Sequence, residues 1–172
     1  MQNFKTLLAG GDLRSIGNSN KVVNLVKGQS DFDSLIKLVF DDDKLVAMRA
    51  ADAVQKISVK NPLLLAAHKP EILAASATPL QKEVKWHIAQ LIPLLCLNAA
   101  ELRMMWEILQ QWALDASNSR IVRVNALQAL FDLTKINPCN NISFERLLTK
   151  MERENVPSIN ARIKRIRHLQ VL

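Results

Sequence analysis

Few residues of this chain are suited to covalent or metal chemistry, and their spacing narrows the options. His68, His87 and His168 stand far apart, with no pair at i,i+4 and none beside a cluster of cysteines or carboxylates at ligand spacing; no metal site is expected. No Ser-His-Asp or Cys-His signature is readable, so no catalytic residue and no cofactor is assigned. Cys96 falls in an apolar helix and Cys139 in the polar turn "NPCNN", which suits two reduced thiols better than a disulfide framework. The remaining candidate is a phosphate cradle in "GGDLRSIGNSN", residues 10–20. Five residues separate Gly11 from Gly17, and Asn18 stands where a P-loop has lysine, while the preceding "NFKTLLA" reads as a helix and not a strand. The stretch therefore predicts a hinge: Gly10 and Gly11 end a first helix, and Asn18 or Ser19 caps the next, "NKVVNLVKG".

The basic residues form a second group. The net charge of +7 resolves into four Lys/Arg against one acid in residues 1–30, twelve of each in 31–144, and seven against three in 145–172. The basic character therefore sits at the two ends. In "RIKRIRHLQVL", Arg162, Lys164, Arg165 and Arg167 spread around a polar helix face while Ile159, Ile163 and Ile166 turn inward. Two readings stand: the solvated outer face of a terminal unit, or an electrostatic contact with nucleic acid or an acidic partner.

What must position these residues is a set of helices. All four glycines precede residue 29, tyrosine is absent, and 49% of the 172 residues are hydrophobic, which is a helical composition long enough for one domain. No apolar run approaches the roughly 18 residues of a membrane helix, and the N-terminus shows no basic leader with an apolar core; a cytoplasmic location without a membrane partner is expected. Internal repetition is the decisive signal. "VAMRAADAVQKI", "VKWHIAQLIPLL" and "VRVNALQALFDL" begin at Val46, Val84 and Val122. Their apolar positions coincide: Ala50, Ile88 and Ala126; Ala53, Leu91 and Ala129; Val54, Ile92 and Leu130; Ile57, Leu95 and Leu133. Polar turns with start signals precede each: Asp41 to Asp43; Thr78, Pro79 and Gln81, which fit a capping box; and "ASNSR". Ahead of those turns lie helices over Ser30 to Phe40, Pro70 to Ser76 and Asn98 to Ala113, with cap-like Ser30/Asp33 and Asn98/Glu101.

A helix, a tight polar turn and a second helix carrying V-x-x-x-A-x-x-A-L resembles the HEAT-repeat family, most closely in Asp115, Val122, Arg123, Ala126, Ala129 and Leu130. The resemblance implies an all-α fold, an α-α superhelix of about four helix pairs stacked into one core. Its units are 30–60, 61–97, 98–138 and 139–172, behind an extension over 1–29. It also implies that the second helices line a concave face. Met48, Trp86, Val124 and Phe131 point away from the predicted core there, either as an apolar groove for a partner's helix or peptide or as filling for seams between units. The expected function is a non-enzymatic protein-protein interaction module or scaffold for an unidentified protein or peptide. Two alternatives remain: nucleic-acid binding through the basic ends, and a HEAT-like DNA-alkylation-repair glycosylase using Trp86, Trp106, Trp112 and Asp115.

Overall fold

The computed structural model describes residues 3–12 and 15–170; Leu13 and Arg14, inside the expected hinge, lie outside the described residues. Those residues contain helices and turns and no strand. They form two compact units, Met1–Leu95 and Cys96–Leu172.

The first unit contains α1 (Phe4–Leu8), α2 (Ser19–Leu25), α3 (Gln29–Ile36) with a 3-10 turn over Lys37–Phe40, and α4 (Lys44–Lys60). After it come α5 (Leu63–Ala66), α6 (Lys69–Ser76) and α7 (Lys82–Leu91), which runs into a second 3-10 turn, Ile92–Leu94. Helix α4 is its hub, packed by α1, α2, α3 and α7. Its start is set by Asp43, whose carboxylate accepts from the amides of Leu45 (2.9 Å) and Val46 (3.4 Å). Helix α7 stops at Leu91 because Pro93 has no N–H to continue the ladder and its ring crowds the preceding turn.

The second unit contains α8 (Ala99–Leu114), α9 (Arg120–Ile136), a 3-10 turn over Pro138–Asn140, α10 (Asn141–Glu152) and α11 (Pro157–Gln170). Asn98 and Glu101 close the expected capping box at the start of α8. Here α9 is the hub, flanked by α8, α10 and α11. Phe144 of α10 is fully buried between two aromatic rings, edge-on to Trp106 at 6.3 Å and stacked on Phe131 at 6.1 Å.

All fifteen apolar positions aligned in the three repeats are buried, as are Ile159, Ile163 and Ile166. Two start signals are displaced. Helix α3 begins at Gln29, so Ser30 lies inside it and Asp33 turns to His68 instead. Helix α7 begins at Lys82, because the Thr78 hydroxyl donates back to the Ala75 carbonyl (2.9 Å) and closes α6, leaving Pro79 in the turn. Ser30 and Thr78 are thus not caps.

Candidate functional site

The glycine-rich stretch does form a cradle, and its occupant is a cation of the chain's own. Arg49 of α4, 3% exposed, donates from its guanidinium to the carbonyls of Leu8 (2.7 Å), Gly10 (2.6 Å), Asp12 (3.3 Å) and Ser15 (3.0 Å). Gly10, Gly11 and Gly17 all have positive φ, the region glycine enters without steric cost. At Gly17 a Cβ would fall 2.6 Å from Arg49 Cζ, so close approach requires glycine there as well. Four bent carbonyl dipoles replace the water that the guanidinium loses on burial. Next to it, Ser19 Oγ donates to Asp52, and Lys56 bridges Asp52 (2.6 Å) and the Asn20 side-chain oxygen (2.8 Å). The N-terminal segment is therefore fastened to α4 by polar bonds around three apolar anchors, Phe4, Leu8 and Val22.

The four residues expected on a partner-binding face do not share an environment. Met48 (8% exposed) and Phe131 (3%) are buried, and Trp86 and Val124 are half-buried. Phe131 packs inside its unit against Phe144, because α9 is covered on a second flank by α10 as well as on the face toward α8. Met48 is enclosed because α4 is packed by several helices, α1, α2, α3 and α7 among them. These two are corrected from outward-facing candidates to packing residues. Trp106 and Trp112 are also buried within the second unit, and Asp115 sits at the C-terminal cap of α8, accepting from the Ser117 amide (2.9 Å). Arg123, the arginine of the repeat pattern, donates to the Ala113 carbonyl (2.7 Å) and pairs with Glu154.

Of the four basic candidates on α11, two are engaged internally. Arg162 donates to the Gln128 side chain (2.8 Å), and burial and then neighbouring Arg165 push its guanidinium down. Arg167 grips Glu152 with two bonds of 2.9 Å. Lys164 and Arg165 are exposed.

No family model, curated protein or solved structure matches this chain.

Two histidines are buried in opposite circumstances. Both ring nitrogens of His68 meet carboxylates, Asp33 at 2.7 Å and Glu71 at 2.9 Å, which joins α3 to α6 and leaves no nitrogen lone pair facing a ligand. The Gln29 amide and then His68 hold the Asp33 carboxyl below its usual range. Among the described residues no group of three or more His, Cys, Asp or Glu is arranged to hold a metal ion, and no helix is long and apolar enough to cross a membrane.

His87 has a buried Nδ1 without a hydrogen-bond partner, and burial pushes its imidazole down to about 4. An unfolded chain takes up this proton near pH 6.5 while the fold refuses it, so the stability it contributes is complete above about pH 6.5 and falls as pH drops toward 4. The loss at the lower end is on the order of 3 kcal/mol. Urea midpoints measured across that window should fall less steeply in His87→Leu than in the parent; parallel slopes would reject this assignment.

The first unit also carries a groove that the sequence did not reveal. Phe40, 42% exposed, stands between a hollow of about 520 Å³ lined by Lys37, Glu71, Ala74, Ala75 and Thr78 and one of about 370 Å³ running past Ala47, Pro79 and Leu80. Regular α spacing places Phe40 on the buried stripe, four residues after Ile36. The 3-10 turn from Lys37 adds about 20° per residue and carries it outward, while Val39 stays buried. A change of helical winding leaves little trace in an apolar pattern.

Proposed function

We propose that the chain is a non-enzymatic interaction module of HEAT-like helix pairs that takes a partner protein's apolar helix or peptide onto the Phe40 groove. The carrying observation is Phe40 itself: a large aromatic left half-exposed at the junction of two hollows, beside the small side chains of Ala74 and Ala75. An aromatic ring that a partner can enclose is the usual energetic centre of such contacts, and the opposite charges of Lys37 and Glu71 beside it can orient an incoming segment. The common buried register of α4, α7 and α9 supports the HEAT-like part of the reading.

Selection from a random peptide library on the purified protein tests it. The expected clones carry apolar anchors and lose binding to Phe40→Asp, while the stability of that variant changes by no more than about 1 kcal/mol because the ring is only partly enclosed. Clones that bind the variant equally well, or the absence of enriched clones, would overturn the reading.

A further inference from the structure

A second groove, on another part of the first unit, differs in chemistry. It follows the seam between α2 and α4 as a hollow of about 380 Å³ that meets another of about 240 Å³, the two sharing Val23, Asn24 and Lys60. Lys56, Lys60 and Lys27 line it, and no carboxylate does. The nearby Asp52 is occupied by Ser19 and Lys56, and Asp31 accepts from the Lys27 amide. Lys60 is exposed and has no partner among the described residues. The side-chain amides of Asn24, Gln55 and Asn61 add donors, and Val23 with the 58%-exposed Val59 supplies an aliphatic surface between them.

We propose that this seam binds an extended acidic peptide segment, its carboxylates meeting Lys60 and the flanking amides and its aliphatic side chains covering Val59. Charge complementarity selects this occupant. Lys56 is balanced by Asp52, but Lys60 and the Lys27 ammonium, held on the Asn24 carbonyl, leave excess positive charge that disfavours a basic strand, and the aliphatic strip between the donors matches alternating acidic and apolar residues better than a bare ion. The site is independent of the Phe40 groove, so loss of one leaves the other standing.

Fluorescence anisotropy with a short labelled peptide of alternating glutamate and valine, on the full chain at low ionic strength, is the test. Binding should weaken with salt and fall about tenfold in Lys60→Glu, while Lys150→Glu, the same change of net charge on α10 of the second unit, should keep affinity within about twofold. Because Lys60 is exposed, its variant should stay folded and melt only slightly below the parent, an acid being unfavourable in the last turn of α4. Equal weakening by both variants would mean diffuse attraction to a basic chain and overturn the site. So would no binding at low salt, or displacement of the peptide by inorganic phosphate at matched ionic strength.

Discussion

Arg49→Leu should release the N-terminal segment while the second unit stays folded. The variant strips four carbonyls of their donor, and those groups cannot remain dry. The cheaper outcome is undocking, which rehydrates them and gives up the packing of Phe4, Leu8 and Val22 against α4. We expect a loss on the order of 3 kcal/mol. Hydrogen exchange should show α1 and α2 losing protection with α8 to α11 unchanged; protected α1 and α2 amides would refute the cradle. A glycine pair separates backbone strain from collision. Gly10→Ala and Gly17→Ala share the cost of a side chain at positive φ, about 1 to 2 kcal/mol. Only Gly17→Ala also drives a Cβ into the guanidinium, since nothing lies within 4 Å of the same atom at Gly10. Gly17→Ala should therefore be clearly the worse of the two.

Phe144→Ala should cost about 3 to 5 kcal/mol, the range for emptying a buried aromatic site. Its ring bridges Trp106 of α8 and Phe131 of α9, so the hole opens where α10 meets the rest of its unit, and rigid helices cannot close it without shifting. Urea denaturation reads the loss, and tryptophan emission should shift to the red in the folded baseline as Trp106 gains water. A cost below about 1 kcal/mol would mean that the aromatic cluster is not a structural joint.

The repeated apolar register was legible because it depends on period alone: Val46, Val84 and Val122 and their followers face a neighbour in every pair. What could not be read was the second neighbour. A helical wheel assigns one buried face, whereas α4 and α9 are each hubs contacted by several helices, so Met48 and Phe131 are enclosed on flanks that the wheel leaves open. Arg49 shows the same limit in polar form. As a charged residue it reads as solvated, and only the carbonyls of a segment more than thirty positions earlier make its burial tolerable. The glycines hinted at this partner, since their unusual density marked a backbone that bends closely around something. Phe40 escaped because its exposure is created by winding, not by residue type.

The cradle also orders events in time. The carbonyls of Leu8 and Ser15 are separated from their donor by 41 and 34 residues. On a ribosome, where a chain emerges N-terminus first, α1 and α2 must wait until Arg49 and the turns of α4 around it have followed. The segment is thus made before its donor and closed late, and a nascent chain stopped before Arg49 should keep α1 and α2 open to protease however long it is held.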